Sequence, residues 1–478
     1  MQPSRLAVLI AIGGLLLPTL VTPTPAHASR ARVRILRDIS GPSPLPADEC
    51  GLPPTDGRWD GTPNKCGSLT GRGSEYEPHM AVNPANRRNL IAVYSQDNQI
   101  DTVVSASRDG GRHWTQARLP RFTTCTGGTA VGTGDPRVSI GPDGIAYTSS
   151  LVLEPSGFGV LVNTSTDGGL SWSAPVAVDQ NQPSDDAPGV VADPHRPRTA
   201  YITWTRGGGI LMTFSRTTDG GATWTPPAMI PVEPDPVAMT GPGGGRISVL
   251  PDGTLVFGFI KVHAGPAGPT GVWVVRSQNQ GDSWSSQIFV TEIPANVLTD
   301  PDSGQGIGRG NSYTIASVAV GADGALYVVW HWIESTSLSH IQFVRSVDGG
   351  LTWSTPASVA DEQTQAFLPT VAVSPAGTVG VTYFDLRNDV LGDQELTTDL
   401  WFRHSHDGGA TWSETHLAGP FDLCPAPSPD GLYPLGDYFG LVPISRTGFG
   451  AAWVQTIGPG PEDATDTFFA RLRVSPRR

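Results

Sequence analysis

Residues 346–354 read SVDGGLTWS, and nearly the same words return as STDGGLSWS at 165–173 and SHDGGATWS at 405–413. Written as Ser/Thr-x-Asp-x-Gly-x-x-Trp, the stretch occurs at 107–114, 165–172, 217–224, 346–353 and 405–412. A sixth copy at 277–284 carries Asn279 for the Asp and Gln280 for a Gly. Successive tryptophans (Trp114, Trp172, Trp224, Trp284, Trp353, Trp412) lie 58, 52, 60, 69 and 59 residues apart, a spacing that allots one supersecondary unit to each copy. Within the motif, the acidic or amide side chain accepts backbone N–H groups of a tight turn, and Gly supplies the positive φ of a hairpin loop. The Trp is an apolar peg whose indole N–H seeks a backbone acceptor. Catalysis needs one constellation, so the five copies of the Asp (Asp109, Asp167, Asp219, Asp348, Asp407) read as architecture.

Working outward, the same strand pattern surrounds each copy. A first run such as PHMAVNP (78–84) or PTVAVSP (369–375) precedes a turn, and a second follows, as in LIAVYS, AYITWT or LYVVWHW. A third, such as TVVSAS or IQFVRS, leads into the motif, and a short fourth, such as TQARLP, leaves it. Four short strands joined by tight turns form one antiparallel sheet. A single such sheet cannot bury both faces, and radial stacking of several gives an all-β propeller. After the sixth motif come three more runs, GDYFGLVPI (436–444), GFGAAWVQT (448–456) and DTFFARLRV (466–474). They lack a fourth partner, and RVRILRD (32–38) is available. The pattern predicts seven four-stranded blades closed by that N-terminal strand, with six blades and an appendage as the alternative.

Arg5, the apolar run 6–17 and Ala26-His27-Ala28 have the form of a secretory signal peptide over 1–28. The run is shorter than the roughly twenty residues that span a bilayer, and no later segment approaches that length. Residues 29–74 form an extension holding the closing strand, and 75–478 the propeller. The chain has 31 basic and 44 acidic residues, a net charge of −13 that disfavours nucleic acid. The cations are almost all arginine. Cys50, Cys66, Cys125 and Cys424 suit two disulfides in an oxidising compartment, and the Pro/Gly-rich setting favours a local Cys50–Cys66 staple. No Cys-x-x-Cys, paired-His or EF-hand spacing appears, so neither metal nor cofactor is expected.

The motif is the Asp-box, or bacterial neuraminidase repeat, and over about residues 75–475 the chain resembles the sialidase superfamily of β-propellers. That resemblance implies arginines holding a substrate carboxylate bidentately, a Tyr assisted by a Glu as nucleophile, and an Asp as acid. A neutral phenol approaches a reacting carbon that carries its own carboxylate with less repulsion than an anion would. The family's Phe/Tyr-Arg-Ile-Pro string is not matched: Arg34-Ile35-Leu36 and Arg246-Ile247-Ser248 lack its aromatic and its Pro.

Loops at the mouth of a propeller channel are where such groups belong. They hold Glu75, Tyr76, Glu77 and His79 with Gln96, Asp97 and Asn98, then Asp135 and Arg137, then Asp185, Asp186 and Arg206. Further along come Arg246, Lys261 and His263, then Tyr313, His331 and Glu334. The densest group is Tyr383, Asp385, Arg387, Asn388 and Asp389, followed by Asp437 and Tyr438. By position, Arg137, Arg246 and Arg387 are the anion-binding candidates, joined as substrate contacts by Asp385 and His331. Tyr438 or Tyr383 is the nucleophile, Glu77 its base, and Asp97 or Asp135 the acid. The expectation is an exported monomer, not inserted in a membrane, that hydrolyses or binds extracellular glycans in the manner of an exo-sialidase. Its rival is a non-catalytic propeller that binds a protein or a cell-wall polymer.

Overall fold

Each octapeptide closes the hairpin between the third and fourth strands of a four-stranded antiparallel sheet. In the copy at 346–353, Asp348 Oδ1 accepts the N–H groups of Leu351 and Thr352 and the Ser346 hydroxyl, at 3.1, 2.9 and 2.8 Å. The Thr352 hydroxyl donates to Oδ2 at 2.5 Å. Asn279 makes the equivalent bonds in the divergent copy, and Gln280 adopts the positive φ (59°) of the missing Gly. The second Gly of the motif does more than turn the chain. Gly409 has φ 99°, and a Cβ there would lie 2.2 Å from the Phe343 ring of the preceding blade. The turn therefore presses backbone directly on its neighbour. Indole N–H groups behave less uniformly than expected: Trp114 and Trp172 donate to Gly111 and Gly169 carbonyls, whereas those of Trp224, Trp353 and Trp412 are buried without a partner.

The structure, a computed structural model, describes residues 31–45, 50, 73–97, 99–208, 211–232, 238–239, 245–263, 270–294, 298–307, 316–335, 338–360, 364–393, 395–426, 435–458 and 464–475. The 1–28 segment read as a signal peptide, with Cys66, Asn98 and Tyr313, lies outside these residues. Seven sheets form a ring. Blade one comprises Glu75–Val82, Leu90–Gln96, Asp101–Ser107 and Thr115–Arg118, running from the channel outward. The inner strands of the next five blades are Gly132–Ile140, Asp185–Ala192, Arg246–Val249, Ser317–Val320 and Ala366–Val373. In blade four a second short piece, Ala238–Met239, pairs with the same neighbour as Arg246–Val249. Blade seven runs Gly440–Pro443, Gly448–Thr456, Thr465–Val474 and finally Ala31–Asp38, so the N-terminal strand closes the ring.

Apolar side chains collect between blades: a separate cluster occupies each of the seven interfaces, including the one that joins blade seven to blade one through Met80, Leu90, Ile444 and Phe469. Burial of alternate faces against both neighbours is what a sheet two-sidedly apolar in sequence requires.

One expectation is corrected. Cys50 is bonded not to Cys66 but to Cys125, with Cα atoms 4.4 Å apart and a sequence separation of 75. Cys125 sits on the one-turn helix Thr124–Thr126, and Leu45, Cys50 and Ile100 pack around it. The extension is thereby fastened to the loop after blade one, and Cys424 is disulfide-bonded as well.

Candidate functional site

The inner strands of blades one, two, three and six share a local irregularity. Their ladders slip between Tyr76 and His79, Gly134 and Arg137, Asp186 and Gly189, and Phe367 and Thr370. At each slip a non-glycine residue takes positive φ, namely Glu77 (52°), Asp135 (50°), Ala187 (51°) and Leu368 (50°), and each is followed by Pro. Pro donates no N–H, so it suits a point where the ladder is broken. A bulge re-aims the side chains that follow it, and strain held in four blades at the same height marks a built feature.

Two consecutive levels of the channel wall result. By ladder register, the residue after each Pro is His79, Arg137, Gly189 or Thr370, and Arg246, Ser317 and Gly440 hold the same level in the other blades. Two residues earlier stand Glu77, Asp135 and, in blade seven, Tyr438. The structure brings these together. The Arg137 guanidinium carbon lies 2.9 Å from the centroid of the Tyr438 ring, and that of Arg246 5.5 Å from the same centroid. His79 meets the ring edge-on at 6.1 Å. Glu77 Oε2 accepts the Asp135 N–H at 2.9 Å, and Gly436 (φ 104°) allows blade seven to abut Glu77, since a Cβ would fall 2.5 Å from Glu77 Cγ.

Electrostatics sharpen the picture. Burial pulls Arg137 below its ordinary pKa, against the pull of Tyr438, Asp135, Glu77 and Asp437. Arg246 is depressed further, by burial and by the like charge of Arg137. His79 is held well below the usual histidine range by burial, Arg137 and Arg246. Its Nδ1 accepts the Val138 N–H at 3.3 Å, so the neutral ring carries its proton on Nε2. Arg137 is 5% exposed, and its Nη1 has no hydrogen-bond partner. Tyr438 is buried, its hydroxyl donates to the Pro136 carbonyl at 2.9 Å, and burial raises its pKa well above that of a free phenol.

The model of the BNR repeat-like domain family matches residues 159–417, more than half of the chain. The chain belongs to that family. Among solved structures, a Hadza microbial sialidase is 18% identical over 80% of this chain and 73% of its own, with a TM-score of 0.46. A Penicillium chrysogenum α-L-arabinanase is 12% identical over 83% and 92%, with a TM-score of 0.43. A family 25 polysaccharide lyase, an ulvan lyase, is 10% identical over 85% and 94%, with a TM-score of 0.49. No curated protein matches the chain.

The other candidates of this BNR repeat-like propeller lie elsewhere. Tyr383 is fully buried at a repeat position held by Tyr94, Trp204, Phe259, Trp330 and Trp453 in other blades, which makes it a core residue between blades five and six. Its hydroxyl donates to Glu414 Oε2 at 2.7 Å. Arg387 bonds Asp385 Oδ2 (2.7 Å) and Glu414 Oε1 (3.0 Å) and lies 3.8 Å above the Trp401 ring centroid. The blade-six group is therefore an internally paired network in which Glu414 engages both the Tyr383 hydroxyl and the Arg387 guanidinium. Asp97 accepts the Ser43 hydroxyl at 2.7 Å and the Gly73 N–H at 2.6 Å, pinning the N-terminal extension. His331 follows the buried Trp330 on the second strand of blade five, with its pKa pulled down to about 4 by burial. The sequence reading missed the Pro136 carbonyl, the role of Gly436 and the tautomer of His79. The x-Pro step recurring in the first strands of blades one, two, three and six was the available signal for the bulges.

Proposed function

We propose that this protein is an exported propeller that recognises a carboxylate-bearing sugar at the channel site of blades one, two, four and seven. One observation carries the reading: two guanidinium groups share one aromatic ring, and the more deeply buried one keeps an unsatisfied N–H. A buried donor without an acceptor costs about 1–3 kcal/mol, and a buried unpaired cation more, so the arrangement is suited to an incoming anion. Family membership supports a glycan as its carrier. Export is supported by the N-terminal pattern and by a disulfide, which persists in oxidising compartments.

Binding is favoured over sialidase-type attack because the Tyr438 hydroxyl is occupied by a backbone carbonyl and its proton is held tightly. Hydrolysis is the second reading. The observation behind it is the strained, buried pair of Glu77 and Asp135 beside the arginines, two acidic residues of the kind glycosidases use as acid and base. Protein collected after secretion, with Ser29 as its first residue, should bind sialyllactose or glucuronate in calorimetry and ignore lactose. R246Q should weaken binding at least tenfold. A fluorogenic sialoside should remain intact; release of its fluorophore would establish hydrolysis, and equal affinity for neutral sugars would overturn both readings.

A further inference from the structure

On the outer edge of blade seven, away from the channel, the seam that closes the ring is basic. The closing strand Ala31–Asp38 exposes Arg32, Arg34 and Arg37. Arg32 pairs in register with Arg473, and Ile35 with Arg471, so these side chains share one face of the blade. That face turns toward blade one, where Arg471 Nη1 donates to the Gly110 carbonyl at 2.9 Å. Blade one adds Arg112 from its octapeptide turn and Arg88 from its first turn, both exposed, and both lower the Arg471 pKa, beneath the larger effect of burial. Like charges placed opposite one another are destabilising unless something compensates.

Compensation from within is missing among the described residues. Among the described residues, Arg32, Arg34, Arg88, Arg112 and Arg473 form no ion pair. Asp109 is engaged by its own turn, accepting the N–H groups of Arg112 and His113 and the His113 ring, and Asp38 accepts the N–H groups of Ser40 and Gly41. Charge on an open edge strand also deters strand addition, but Arg88 and Arg112 lie on turns where no such edge exists. The surplus stands out in a chain of net charge −13.

We propose that this seam is a second glycan-binding surface that anchors a linear polysaccharide with repeated carboxylates. Arg32 to Arg37 extend over roughly 17 Å of strand, a row matched to a polymer and too long for one small anion. Guanidinium groups take carboxylates bidentately. The choice of carboxylates rests on the acidic-sugar reading of the channel, while the seam itself stands on its own residues.

The test is retention of the full chain on immobilised polygalacturonate, with dextran as the uncharged control and phosphatidylserine vesicles as the membrane control. Retention should fall steeply with salt, as charge-driven binding does. R32Q/R34Q/R473Q and, independently, R88Q/R112Q should each weaken it about tenfold or more, with circular dichroism unchanged. Both multiple variants should still bind free glucuronate in calorimetry as the parent does, which separates this proposal from the channel reading. Undiminished retention of both multiple variants, or binding only to vesicles, would overturn it.

Discussion

His79 shows how one side chain can be set by its surroundings. Its Nδ1 satisfies the Val138 N–H, and burial, with two arginines beside it, opposes a second proton. The folded ring is therefore neutral where an unfolded histidine, with a pKa near 6.5, begins to protonate. Its contribution to stability is complete above pH 6.5 and declines as the pH falls below that value, because only the unfolded chain gains the proton. H79F removes both the acceptor and this pH response. The expected outcome is a variant less stable than the parent by about 1–3 kcal/mol at pH 7.5, the cost of one buried unsatisfied N–H. The gap should narrow toward pH 5, as calorimetric melting at the two pH values would show. At this scale the sequence was only partly legible. Strand phase placed Glu77, Asp135, Arg137, Arg246 and Tyr438 on the channel wall, because an inner strand has few ways to face it. Tyr383 and Arg387 sit in an equally polar string, YFDLRND, but the repeat position of Tyr383 is a core one, and the partner that occupies Arg387 is Glu414, on the blade's outer strand. No local pattern announces that pairing.

Among elements, the octapeptide turn was the most legible because nearly all its bonds fall within eight residues. Its acids are held low by those bonds: Asp167, Asp219 and Asp348 titrate near pH 2, with burial opposing the hydrogen bonds in each. A carboxylate depressed in this way adds stability that is present above its unfolded pKa, near 3.9, and is lost as pH falls toward 2. The natural Asn279 makes the same turn without a charge. D348N should therefore stay within about 1 kcal/mol of the parent at pH 7, while losing less stability than the parent between pH 4 and pH 2. Urea melts at pH 7 and pH 2.5 would check both halves. What the repeat could not disclose is how its second Gly meets the neighbouring blade, since contact between Gly409 and Phe343 exists only after the ring has formed.

For the whole molecule, closure is the event on which the channel depends, because blades one and seven supply Glu77, His79 and Tyr438 from opposite ends of the propeller's chain. The count of seven was readable from three leftover strands and one spare at the N-terminus. The disulfide partner was not, since Cys50 and Cys125 meet only through tertiary packing around Leu45 and Ile100. The closing strand contributes few apolar contacts of its own: Ala31 is buried, and most of the remainder is exposed. It acts chiefly by covering the backbone edge of Thr465–Val474, and Ile39, just beyond it, enters the interface of blades seven and one while donating to the Thr467 carbonyl at 2.9 Å. Two changes should separate these roles. I39A removes a buried side chain and should cost about 2–4 kcal/mol without altering the elution volume. Pro in place of Ile35 breaks the ladder instead, leaving an unpaired edge that invites strand addition between chains. The expected result is a modest loss of thermal stability for I39A with an unchanged elution volume, against aggregation of I35P on size exclusion well below its melting temperature. If I35P elutes and melts like the parent, the N-terminal strand decorates the ring and does not close it.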